Sequence, residues 1–307
     1  EPAHVEPAIR QLLAENRDLI ARLTHPDTPA TWDDFAAPLA AGMERLGWAW
    51  GIVGHLHSVN DIPAWRDAYN AMLPEVTRFY SELGQNLALF DKYKAIRAGS
   101  EYPTLSPARR RIIDNEIRDF RLSGAELPEA DKPRFQAIQE ELARLAAKFS
   151  ENLLDATNAF SILITDASEL AGLPEDVRQA AQAAAAADGA QGWKFTLQAP
   201  SYLPVMQYAD NRALRARMYR AYATRASEFH DSGSKPEWDN TPLMTRILAL
   251  RQEEARLLGY ANYAEVSLVP KMAESPAQVL AFLRDMAAKA KPFAERDMAA
   301  LQDFAAS

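Results

Sequence analysis

Five histidines, His4, His25, His55, His57 and His230, are the side chains of this 307-residue chain best suited to holding a metal ion. Their spacing argues against it. A helical zinc site needs two imidazoles four residues apart, so that both face one ion, with a glutamate beside the first to activate bound water. No two of these histidines stand four apart, and none is followed by glutamate. His55 and His57 would share a face on a strand but diverge by about 200° on a helix. Lying between Gly54 and Asn60, ahead of a helix capped at Asp61, they are expected to make turn and capping hydrogen bonds. The acidic neighbours Glu140–Glu141 and Glu253–Glu254 resemble paired carboxylates, yet adjacent helical residues diverge and are expected to face water. Cysteine is absent, which removes disulfides, thiolate ligands and a cysteine nucleophile together. Neither a nucleophile elbow nor a glycine-rich phosphate cradle occurs in the sequence. A Ser-His-Asp set is defined in space and stays open at this point.

The elements that would position any such group read almost entirely as helix. Phe135, Ile138, Leu142, Leu145, Phe149, Leu153, Ala156, Phe160 and Leu163 recur every three or four residues, which predicts one long amphipathic helix of roughly eight turns. Ser106 before Pro107 reads as a cap and first helical position, with Gly124 as the stop. Ser275, Pro276 and Gln278 form a capping box, and Asn240 precedes a helix ending at Gly259. Pro74 and Pro292 fall inside helical patterns and are expected to kink or break them. The alanine run from Ala180 to Ala187 predicts an exposed helix. Trp193 to Leu197 alternates and predicts the one strand. Arg109, Arg110 and Arg111 are interleaved with Asp114, Glu116 and Asp119, so Arg110–Asp114 and Asp114–Arg118 are expected ion pairs on a solvated face rather than a nucleic-acid stripe.

Composition narrows the partners. A net charge of −8 repels polyanions and disfavours nucleic acid. No apolar run is long enough to span a bilayer, no segment reads as a signal peptide, and the lack of cysteine fits a reducing compartment; the expectation is a cytoplasmic protein. The fold class expected is all-α, built of long antiparallel helices with at most a minor β element. Gly189 and Gly192 mark one loop and Ser227 to Trp238 a second, neither a persuasive domain boundary, and a subdivision is expected at most near residues 167–192.

One stretch carries more. Pro200 to Ser227, PSYLPVMQYADNRALRARMYRAYATRAS, resembles the thimet oligopeptidase family of zinc metallopeptidases. The resemblance continues, in order, through HLHSVND (His55–Asp61), DNEIRDFRLSG (Asp114–Gly124), NLLDAT (Asn152–Thr157) and DASELAGLP (Asp166–Pro174). ILALRQEEARLLGYANY (Ile247–Tyr263) and KMAE (Lys271–Glu274) follow it, while PAHVEPAI (Pro2–Ile9) resembles a segment just inside the family's N-terminus. The resemblance implies two helical lobes flanking a narrow channel that admits short peptides, with zinc on an H-E-x-x-H helix in the C-terminal half. This sequence lacks that motif, so residues 1–307 are expected to be the N-terminal helical region only. Zinc belongs to the parent protein and none to this segment, which implies no catalytic and no metal-ligating residue here.

Within that frame Arg215, Tyr219 and Tyr222 are the candidate substrate-binding residues. They fall on one face of one helix, and arginine and tyrosine suit the gripping of peptide backbones along a channel wall. The alternative for the same three residues is a helix contact with satisfied hydroxyls. A competing class for the whole chain is a non-enzymatic helical scaffold or peptide-binding module, which the reading frame after Ser307 would distinguish.

Overall fold

The computed structural model describes residues 1–60, 62–229 and 235–307; the expected cap at Asp61 and the fifth histidine, His230, lie outside the described residues. In chain order the helices are α1 (Val5–Leu23), α2 (Ala37–Val59), α3 (Pro63–Gly84), α4 (Leu87–Ala98), α5 (Pro107–Leu122) and α6 (Lys132–Ala159). Strand β1 (Ser161–Ile164), α7 (Glu175–Ala187), β2 (Trp193–Thr196), α8 (Ala199–Tyr208), α9 (Arg212–Ala223), α10 (Thr241–Leu257), α11 (Tyr263–Leu268) and α12 (Pro276–Ala306) follow. Among the described residues the chain is thus mostly helix with one small sheet, as the sequence predicts. It divides into two compact units, Glu1–Glu141 with Leu250–Ser307, and Leu142–Ala249. Residues 167–192 lie inside the second unit.

In the first unit, Val5, Ile9 and Leu13 recur every fourth residue along α1 and pack with Leu46 and Val53 of α2 and Met72, Val76 and Phe79 of α3. A second core joins Phe35 to Leu89, Phe90, Tyr93 and Ile96 of α4 and Ile113 and Phe120 of α5. Helix ends follow the predicted chemistry. The Ser106 hydroxyl accepts the Arg109 N–H at 3.3 Å. Gly124 takes φ +85°, and the paired bonds Gly124 N–H to Arg121 O and Ala125 N–H to Phe120 O close α5 in a Schellman motif. The Ser275 hydroxyl accepts the Gln278 N–H at 3.2 Å, while the Gln278 carbonyl oxygen reaches back to the Glu274 N–H at 2.7 Å.

Of the two outcomes expected at the prolines, breaking does not occur: α3 runs through Pro74 and α12 through Pro292. The flanking helical turns outweigh the one hydrogen bond each proline removes. None of the 31 residues of α12 is buried. Gly47 sits inside α2 where an added Cβ meets no atom within 4 Å. Gly47→Ala is therefore expected to stabilise the protein by about 0.5–1 kcal/mol, read as a higher chemical-denaturation midpoint at unchanged slope.

In the second unit β1 and β2 pair antiparallel, with Ile162 opposite Phe195 and Ile164 opposite Trp193. The long apolar stripe of α6 therefore ends earlier than its spacing predicts. The helix stops at Ala159, and Phe160 and Leu163 leave it. Ser-Ile-Leu-Ile offers alternation of period two with β-branched residues, so Ile162 and Ile164 are buried while Leu163 faces out. The alanine helix α7 is also less exposed than expected: Ala181 and Ala185 are buried in a face packed on β2, their small side chains allowing close approach. The Thr196 N–H, at the end of β2, donates to the Ser201 hydroxyl at 2.9 Å. Elsewhere in this unit the buried Asn152 amide donates to Asn240 Oδ1 at 2.9 Å, and Asn240 donates to the Phe149 carbonyl at 3.0 Å, joining α6 to the start of α10.

Candidate functional site

Helix α9 starts where the Asn211 side chain accepts the N–H groups of Ala213 and Leu214. Leu214, Met218 and Ala221 then fill the core beneath it. That register turns Tyr219 and Tyr222 outward, 60% and 38% exposed. The Tyr222 ring stacks on Tyr202 of α8 with centroids 4.2 Å apart and planes 13° from parallel. The Arg225 guanidinium lies 3.7 Å from the Tyr222 ring centroid. It is held there by bonds to the Thr157 hydroxyl at 3.0 Å and the Tyr222 carbonyl at 2.9 Å. Burial, followed by the nearby Tyr222 and Tyr219, raises the Tyr202 phenol above its ordinary pKa, so it stays neutral.

Of the three residues singled out from the sequence, the structure brings Tyr219 and Tyr222 to this patch. Arg215 does other work. Its guanidinium donates to the carbonyls of Ala209 and Asp210, tying down the turn between α8 and α9. Tyr202 and Arg225 are the partners that sequence reasoning missed. Arg225 stands three residues after Tyr222, a spacing that a helical face would have flagged. The patch offers the exposed Tyr219 ring, the edge of the stacked Tyr222 ring and a fixed cation, which suits contact with peptide planes and apolar side chains. It contains no activated nucleophile.

The four described histidines do not assemble. His55 and His57 lie in the last turns of α2, not in the expected turn, because the helix continues to Val59. The His57 ring stacks on Tyr69 at 4.2 Å, and Tyr69 stacks on Trp50 at 4.9 Å. His25 Nδ1 accepts the Asp27 N–H at 3.3 Å, a local turn contact. Among the described residues no three histidines, aspartates or glutamates come together in a way that could hold a metal ion. The described residues do not fit zinc. Among the described residues, no helix is long and apolar enough to cross a membrane.

Charged pairs differ from expectation in instructive ways. Asp114 is held by Arg97 of α4 at 2.7 Å and by the Tyr102 hydroxyl at 2.8 Å, not by Arg110 or Arg118. Arg118 turns instead to Asp119 and Asn115. Packing between α4 and α5 overrides the local helical pairing. Glu140 accepts from Arg78 at 3.1 Å, and Glu253 takes both arms of Arg134 at 2.6 Å. Glu254 does not face water: it is 8% exposed, and its Oε1 accepts from the Gln139 amide at 3.0 Å.

Burial holds the Glu254 carboxyl above the ordinary carboxylate range, against the lowering pull of Gln139 and Arg251. Burial raises Glu116 similarly, aided by Asp119. A carboxyl raised on folding stabilises fully below its ordinary pKa of 4.5, and that share is lost as pH rises through the raised value. Glu254→Gln is accordingly expected to raise Tm near pH 8 and to leave it unchanged near pH 4, measured by calorimetry at both.

Known proteins resemble this chain along nearly its whole length. Residues 9–132 match the family described as Neurolysin/Thimet oligopeptidase, N-terminal domain, and residues 205–307 match Peptidase family M3. Tyr219, Tyr222 and Arg225 fall inside the second match. The chain is 44% identical over 305 residues to oligopeptidase A of Salmonella typhimurium, covering 99% of this chain and 45% of that protein. It is 44% identical over 304 residues to oligopeptidase A of Escherichia coli, covering 99% and 44%. The organellar oligopeptidase A of Arabidopsis thaliana is 41% identical over 314 residues, covering 99% and 38%. The chain spans just under half the length of the bacterial relatives it matches. With both family models matched in order and similarity running along its length, the chain belongs to the thimet oligopeptidase family of peptidases.

Proposed function

We propose that this chain is the N-terminal, channel-wall part of a zinc-dependent metalloendopeptidase that hydrolyses short peptides, and that these 307 residues alone do not cleave them. The observation that carries the reading is the family match along the chain. On this reading the metal is held by residues beyond this chain, and no bond-breaking step falls to the side chains described above. Helix α12 supports the same reading. It exposes Leu283, Phe293, Leu301 and Phe304, a face suited to being covered by further structure.

The role of this chain's own residues is to bind and orient. Tyr219 presents its exposed ring to an extended peptide and Tyr222 its edge, its two faces being covered by Tyr202 and Arg225, while Arg215 fixes the turn that aims α9. The isolated chain is expected to show no chelator-sensitive cleavage of a quenched-fluorescent peptide and no stoichiometric zinc. Finding both would overturn the reading. In the complete enzyme Tyr219→Ala is expected to raise peptide KM roughly tenfold with little change in kcat. An unchanged KM with a lowered Tm would leave Tyr219 a packing residue.

A further inference from the structure

A cavity of about 350 Å³ opens within the first unit, bounded by α2, α3, the end of α5, α6 and α10. Three aromatic rings, Trp50, Tyr80 and Phe135, share its wall with the Gln139 amide and the Glu254 carboxyl. Among the described residues, no lysine, arginine or histidine lines it. Glu254 is more than nine-tenths buried. One of its oxygens accepts from Gln139, and the other is shut off from solvent with no hydrogen-bond partner among the described residues. Arg251, one turn earlier on α10, is engaged over the Tyr263 ring, with its guanidinium carbon 4.8 Å from the centroid.

A carboxyl removed from water to this degree needs a positive partner or a proton. Aromatic rings also attract cations, most strongly where water is excluded. A volume of this size accommodates a small organic molecule. Everything on the wall that carries charge or quadrupole therefore favours one kind of guest. We propose that the cavity is a binding site for an organic ammonium group, with Glu254 as its counter-ion and Trp50, Tyr80 and Phe135 as its aromatic cage. Binding requires the unpartnered Glu254 oxygen to become accessible, a rotation about the side chain that gives the guest its hydrogen-bond acceptor.

Two sources carry that chemistry, a free alkylamine and the amino terminus of a peptide, and one experiment separates them. The 307-residue chain is titrated by calorimetry with n-butylammonium against 1-butanol, and with trialanine against N-acetyl-trialanine. The charged member of at least one pair is expected to bind saturably and at least about tenfold more tightly than its neutral counterpart. Preference for n-butylammonium alone identifies free amines; preference for trialanine identifies peptide amino termini. Glu254→Gln is expected to abolish the preference while circular dichroism stays unchanged. Tyr80→Leu, at a partly exposed position, is expected to weaken it several-fold and serves if the first variant fails to fold. No preference in either pair, or a preference that survives both substitutions, overturns the proposal and leaves Glu254 a packed carboxyl.

Discussion

Gly172→Ala is expected to destabilise the second unit by about 3–5 kcal/mol and to lower its unfolding temperature by about 10 °C or more. Gly172 takes φ +84°, and a Cβ built there collides with the Tyr208 carbonyl oxygen and lies 2.8 Å from Asp210 Oδ1. Relief would require moving main chain. That main chain is pinned by the Asp210 N–H bond to the Ala171 carbonyl at 2.8 Å. Gly189, at φ +73°, has no atom within 4 Å of an added Cβ. Gly189→Ala thus isolates the backbone cost of the left-handed conformation, about 1 kcal/mol. Thermal unfolding of the two variants separates collision from conformation. Similar losses would mean that the turn around Tyr208 yields freely. The same collision pushes on the turn that Arg215 clamps, so in a complete enzyme Gly172→Ala should disturb the Tyr219–Tyr222 face as well.

Phe195→Ala is expected to cost about 3–5 kcal/mol, with hydrogen-exchange protection lost across β1, β2 and α7. Its ring is fully buried, paired across the sheet with Ile162 and packed with Leu170, Val205 and Met218. A core of this modest size has little with which to refill the void. Leu163→Ala, on the outward face of the same sheet, is expected to change stability by less than about 0.5 kcal/mol. Equal effects from the two would mean that the sheet does not anchor this unit.

Helices are legible wherever a cap and an apolar period agree. Ser106–Pro107, Gly124 and Ser275–Gln278 each carry their own local geometry, so their chemistry can be read from adjacent residues. Legibility ends where a distant partner decides the outcome. Asp114 goes to Arg97 because α4 lies beside α5, a neighbour that helical spacing on α5 cannot reveal. Leu163 matches the stripe of α6 by number alone, since a run with steps of three and four does not announce where period two begins. At the candidate patch, Tyr219 and Tyr222 are visible as one helical face. Tyr202 comes from another helix, and Arg215 is taken up by carbonyls that only the folded turn presents. Glu254 reads as an ordinary surface acid because burial is a property of packing, not of residue type.

Among the described residues the sheet has two strands, so each strand has one margin with no strand beside it. Such a margin invites a stray chain to zip onto it, and amyloid growth begins with pairing of this kind. On β2 the Thr196 donor that an intruder would seek is already occupied by the Ser201 hydroxyl. Lys194, two residues back and paired with Asp188, sets charge beside the same strand. A serine in the first turn of α8 thereby acts as a guard against intermolecular cross-β growth.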